Sequence, residues 1–250
     1  MFKRIFIIST IFFLLLADSR SAMTNARLLP SRVQAAKVAT DASLRQLFAE
    51  KDLEYPPKNI FMRVLKSENL LEMWVWKSEK EQYELLKTYG VCAMSGYLGP
   101  KRKQGDYQVP EGFYHLSRFN PWSAYHLSMK INYPNKSDRI LSPHRNLGGD
   151  IFIHGYCGSL GCVSITDPLI QEVYWLSLQA KQNGQKKIPV HVFPAHFSDL
   201  KYNLLHHLYA KETEKIQLWN NLYAGFMYFE THKQVPQMAI DDDGYYYIDE

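Results

Sequence analysis

The chain has 250 residues, 46 % hydrophobic and 14 % aromatic, enough for one sizeable core with additions or for two small domains. Its formal net charge is +4, of which residues 1–22 hold +2, from Lys3, Arg4 and Arg20 against Asp18. The remaining charge is small and evenly spread, which argues against nucleic acid as a partner.

The N-terminus, "MFKRIFIISTIFFLLLADSRSA", has a basic start, an apolar run from Ile5 to Leu16 and then small polar residues. This is the layout of a secretory signal peptide over 1–22. The run is about twelve residues, short of the roughly twenty that span a bilayer. Ala17, Ser19 and Ser21 supply small residues for cleavage, and an uncleaved anchor is the alternative. Either way the bulk of the chain is expected in the periplasm or cell envelope.

Residues 23–57 read as a helical lead-in, with Val38, Leu44, Leu47 and Phe48 near one face and "YPPKN" as its breaker. A strand-rich domain follows over 58–194. "IFMRVLKS" and "LLEMWVWK" predict a hairpin, and "EKEQYELLKTY" (79–89) reads as a short helix ending at Gly90. Cys92 falls on a short strand, and "KQGDYQVPEGFYHLSRF" is a turn-rich loop that runs into a strand. Alternation of Tyr125, Leu127, Met129, Ile131 and Tyr133 predicts a half-buried strand over 123–134. "DIFIHG" is a short apolar strand. In "TDPLIQEVYWLSLQAKQNG", Thr166 or Asp167 caps a helix, Pro168 suits its start, and Gly184 ends it. Its buried side is expected from Ile170, Val173, Leu176 and Leu178. "KIPVHVFP" is the last strand. Residues 195–250 form an extension, helical and aromatic over 197–232, whose acidic, aromatic end "DDDGYYYIDE" is a docked strand or a loose tail. The fold expected is mainly β (α+β), a sandwich or barrel with an inserted helix and a helical C-terminal extension.

The chemistry concentrates in "FIHGYCGSLGCVSITD", residues 152–167, which places His154, Cys157 and Cys162 within nine residues. Such a cluster can hold a metal, form a disulfide or break a bond. Zinc sites usually pair two close cysteines with a second pair further on, which this chain lacks, although His126, His144 or His191 could add ligands. Three cysteines in an exported chain leave at least one free or paired outside the chain; a Cys157–Cys162 bridge would close a tight loop, and a Cys92–Cys157 bridge would leave Cys162 free. A catalytic cysteine needs a base and a lowered pKa. His154 at a strand end could be the base, oriented by a backbone carbonyl such as that of Gly155. The start of the following helix would favour the Cys162 thiolate, and the Cys162 N–H with a neighbouring amide would form an oxyanion hole. Cys162 should then label fast near neutral pH.

"IHGYCGSLGC" resembles the "HG…SxGC" signature of the YkuD-type L,D-transpeptidase catalytic domain. "GPKRKQGDYQVPEGFYHL" is similar to that family's upstream segment, and the similarity runs over about residues 58–194. It is nearest to a subgroup with "GCxxxTD", which includes amidase-like members that release a lipoprotein from peptidoglycan. The resemblance implies a cysteine acyl-transfer enzyme of the cell envelope that needs no cofactor or metal. It would act on peptidoglycan stem peptides at diaminopimelate, with an envelope lipoprotein as a further partner of the hydrolytic subgroup. Carried over by position, Cys162 is the nucleophile, His154 the base and Gly155 the orienting carbonyl, while Ser159 and Gly161 shape the loop. Most of the family has arginine or asparagine where this chain has Ser164, so Ser164 stands at an expected substrate-binding position, and Arg145 could hold the substrate carboxylate instead. Lys103, Asp106 and Glu111 are expected to pair or make turns, and Trp74, Trp76 and Trp175 to lie in the core. A non-catalytic peptidoglycan-binding module is the rival from outside the enzyme class.

Overall fold

"IFMRVL" has no polar alternation apart from Arg63, as expected of a strand covered on both faces. In the computed structural model, which describes residues 29–249, it is β1 (Ile60–Leu65), wholly buried in a nine-stranded sheet. The signal peptide expected over 1–22 lies outside the described residues. β1 pairs antiparallel with β2 (Leu70–Lys77) and parallel with β9 (Pro189–Phe193). β2 in turn pairs with β3 (Gln82–Gly90). Beyond β9 come β5 (Gly112–Asn120), β6 (Ser128–Ile131), β7 (Phe152–His154), β8 (Val163–Ser164) and the edge strand β4 (Ala93–Met94). A bulge at Leu116/Arg118 lies in the pairing of β5 with β6, the kind of irregularity that bends a strand and raises its twist.

β3 corrects the helix expected over 79–89. Its buried residues Tyr83, Leu86 and Tyr89 stand three apart, as on a helix face. A register shift opposite Met73/Trp74 inserts one extra residue and so breaks the twofold alternation. The strand expected over 123–134 shortens to β6, because His126 adopts a left-handed φ of 65° and ends the extended run. The six-residue α2 (Lys136–Leu141) has no counterpart in the sequence reading, and is held by a capping box between Asn135 and Asp138.

Ahead of the sheet, α1 (Ser31–Glu50) buries Val33, Leu44 and Phe48. The inserted α3 (Asp167–Gln182) follows β8 and buries Ile170, Val173 and Leu176; Leu178 is only half-buried, whereas Tyr174 and Trp175 are buried. The C-terminal extension comprises α4 (Asp199–Leu208), α5 (Thr213–His232) and a hairpin of β10 (Met238–Ile240) with β11 (Tyr246–Ile248), so the tail is docked. Leu218, Trp219, Leu222 and Phe226 of α5 share one apolar cluster with Leu65, Phe113 and Phe193 of the sheet. Glu111 fastens this join: its carboxylate accepts from Lys66 Nζ (2.8 Å), Gly99 N–H (2.7 Å) and Trp219 Nε1–H (2.8 Å). Lys66 Nζ also donates to the carbonyls of Tyr97 and Val109, which with Glu111 uses its three hydrogens, so this buried pair is fully satisfied. Among the described residues no helix is long and apolar enough to cross a membrane.

Candidate active site

β7 and β8 are parallel neighbours in a register that sets Ile153 against Val163 and His154 against Ser164. Residues in register on parallel strands point to the same face. His154 is therefore presented beside Ser164, and Cys162, the residue before β8, comes level with Phe152. The Phe152 N–H donates to Cys162 Sγ at 3.4 Å, and Sγ donates to the Asp150 carbonyl at 3.6 Å. His154 and Cys162 line one open cleft of about 650 Å³, together with Ser123, Tyr125, Tyr156, Ser159 and Leu160.

The imidazole of His154 is 2 % exposed and stacks on Tyr125 at 4.7 Å. Its Nδ1 lies 2.5 Å from the Gly155 carbonyl, which can only accept, so Nδ1 carries the hydrogen and Nε2 presents a lone pair. Burial pulls the His154 pKa below its ordinary value, partly countered by the Gly155 carbonyl. A Cβ on Gly155 would lie 2.6 Å from Asp167 Oδ1 and 3.1 Å from the Tyr125 carbonyl, so the turn after the histidine has room only for glycine. Asp167 closes that turn by accepting the Tyr156 N–H at 2.8 Å.

The free thiol is Cys162, since Cys92 and Cys157 are bridged, with Cα atoms 5.5 Å apart. Three details differ from the sequence-based expectation. Burial pushes the Cys162 thiol above its ordinary pKa, against a smaller opposing effect of the Phe152 N–H. The helix start does not reach the sulfur: β8 intervenes, and the carboxylate at the first position of α3 serves the 155–157 turn instead. The Cys162 N–H donates to Ser159 Oγ at 3.1 Å and the Gly161 N–H to Ser95 Oγ at 2.6 Å, so neither amide is free for an oxyanion here. Ser159 also donates to the Cys162 carbonyl at 2.6 Å, closing a side-chain-stabilised turn. Gly161 adopts φ +109°, which a side chain would strain.

Ser164, expected to meet substrate, is fully buried; its Oγ lies 3.3 Å from His154 Nε2 and donates to the Gly158 carbonyl at 2.7 Å. Arg145 is exposed on the segment after α2 and does not line the cleft, and its neighbour His144 is likewise exposed. Asp106 makes the expected turn, accepting the N–H groups of Arg102, Lys103 and Gln108. Trp74 and Trp175 are buried and Trp76 is half-buried. Ser95, Tyr125 and Asp150 reach the site from other elements, and the sequence carries no local signal for them. Among the described residues no group of three histidine, cysteine or acidic side chains could hold a metal ion. His191, once a candidate ligand, is enclosed by Phe61 and Phe113, and burial drives its pKa down to about 3.

A lone thiol and a tautomer-fixed imidazole thus line one cleft. The family model of the YkuD L,D-transpeptidase catalytic domain matches residues 64–191. "Putative L,D-transpeptidase YafK" of Escherichia coli K12 is 34 % identical over 188 residues, which are 74 % of this chain and 72 % of that protein. Among solved structures, the helical cell shape determining protein Pgp2 of Campylobacter jejuni aligns at TM-score 0.43 and 17 % identity, covering 81 % of this chain and 80 % of its own. Bd1075 of Bdellovibrio bacteriovorus aligns at TM-score 0.40 and 20 % identity, covering 64 % and 57 %. On the family match and the identity to YafK, the chain belongs to the YkuD family of L,D-transpeptidase catalytic domains.

Proposed function

We propose that this protein is an exported cysteine acyltransferase acting on peptidoglycan stem peptides at diaminopimelate. The observation that carries the reading is the His154 ring, fixed by the Gly155 carbonyl so that Nε2 is the free base, in the cleft that holds the only unbridged cysteine of the chain. In this scheme the thiol turns from the Asp150 carbonyl and passes its proton to Nε2 as sulfur attacks the acyl carbon. The leaving amine takes that proton, a thioester remains on Cys162, and an acceptor amine or water resolves it. Export is supported by the 1–22 segment and by a disulfide typical of oxidising compartments.

A second reading, hydrolysis, including release of an envelope lipoprotein, is favoured by Ser164. It is small and buried where most of the resembled family has arginine or asparagine, and an arginine there could grip a substrate carboxylate. Mass spectrometry of muropeptides incubated with the protein separates the two, through new cross-linked species or through stem fragments released with uptake of water. Cys162→Ala and His154→Ala are each expected to abolish both products, by 10³-fold or more for loss of the nucleophile. Full activity in either variant overturns the assignment of these two residues, whereas wild-type protein that binds peptidoglycan but forms neither product leaves the binding-module reading.

A further inference from the structure

Ser164 combines three features that no substrate contact explains. It is completely buried, it stands in register with His154 across the parallel β7–β8 pair, and its hydroxyl has one hydrogen to share between two neighbours. The Gly158 carbonyl, at 2.7 Å, is the closer and can only accept, so the hydroxyl hydrogen goes there. Oγ then turns a lone pair toward Nε2 at 3.3 Å. In the resting ring Nε2 is itself a lone pair, because Nδ1 holds the hydrogen on the Gly155 carbonyl. The contact becomes a hydrogen bond only when Nε2 gains a proton.

We propose that Ser164 is a positioning residue that accepts a hydrogen bond from Nε2 once His154 has taken the thiol proton, and so stabilises the imidazolium of the acyl-transfer step. The proton moves from Cys162 Sγ to His154 Nε2, and Ser164 neither gains nor loses one. The inference rests on the acyl-transfer reading above for its catalytic meaning. Among the described residues no ionic partner duplicates the role. Tyr125 stacks on the ring from the β5–β6 connection, and Asp150, Tyr156 and Cys162 line the same cleft. Asp167 of α3 is bonded to the Tyr156 N–H, and Asp150 is paired with Lys130 at 2.7 Å. None of these groups bonds Nε2, whereas burial alone disfavours the charged ring. A buried acceptor aimed at the site of protonation offsets that penalty.

The test is an NMR titration of histidine ring signals in full-length Cys162→Ala protein, with and without Ser164→Ala. It needs no substrate, so it stands apart from the activity assays that judge the parent reading. Removing an acceptor of the protonated ring should lower the His154 pKa by about one unit, the scale of a hydrogen bond to a charged group. In the Cys162-containing enzyme the acid limb of kcat/KM should move down by the same amount, with kcat reduced about tenfold. Ser164→Thr, which keeps the hydroxyl, should restore the titration midpoint and also serves if the alanine variant fails to fold. An unchanged His154 pKa in folded Ser164→Ala overturns the proposal. So does an upward shift, which would mean that the hydroxyl donates to the neutral ring.

Discussion

At the residue scale, the site rests in a neutral form: burial raises the pKa of the Cys162 thiol and lowers that of the His154 ring. A preformed thiolate–imidazolium pair would need both shifts reversed. Iodoacetamide should therefore label Cys162 slowly at pH 7, more slowly than an exposed cysteine, with a rate that climbs as pH rises past the ordinary thiol range near 8.5. Fast labelling at neutral pH would show an activated thiolate instead. The His154 base should lose function only on the acid side, below the ordinary histidine value near 6.5, because the folded ring binds its proton more weakly than a free one. His154, Gly155 and Cys162 were legible in the sequence since they lie in one local stretch whose spacing the β7–loop–β8 turn preserves. The state of the thiol was not, because it depends on Phe152, Asp150 and the depth of the cleft, all fixed by tertiary packing.

At the scale of elements, strands with clean alternation or wholly apolar runs were legible, as in β1, β2 and β9. β3 was not, because one inserted residue gives a strand the three-residue spacing of a helix. α2 lacks enough turns to show a period, and depends on the Asn135–Asp138 caps. Glu111 was read as a structural residue, but its reach to α5 was invisible: Lys66, Gly99 and Trp219 come from three distant parts of the chain. Glu111→Ala should strand the Lys66 ammonium, whose charged form burial already disfavours, and leave the Trp219 Nε1–H without its acceptor. The expected loss is about 3–5 kcal/mol in chemical denaturation, the cost of breaking a buried pair on one side. A loss under 1 kcal/mol would mean that the extension is not fastened through this carboxylate.

At the scale of the whole molecule, the extension builds onto the sheet's own core through Phe113, Phe193 and Phe226, so residues 195–249 share the stability of the strands. Aromatic content hinted at burial, but which surface the helices cover follows only from the curved sheet. The Cys92–Cys157 bridge spans 65 residues and ties the edge strand β4 to the loop between base and nucleophile. Its order along the chain has a consequence for how the protein matures. On the proposed export, an oxidant acting on the chain as it emerges N-terminus first would meet Cys92, then Cys157, and only five residues later Cys162. Pairing in order of arrival spends the first two sulfurs on each other and leaves the reactive one unclaimed. Deleting the first should redirect the second: Cys92→Ser is expected to trap Cys162 in a Cys157–Cys162 bridge, giving an inactive protein that dithiothreitol reactivates, while Cys92→Ser/Cys157→Ser stays active without reductant. On the proposed function, the bridge would then shield the nucleophile by occupying Cys157, the sulfur nearest to Cys162 in the sequence.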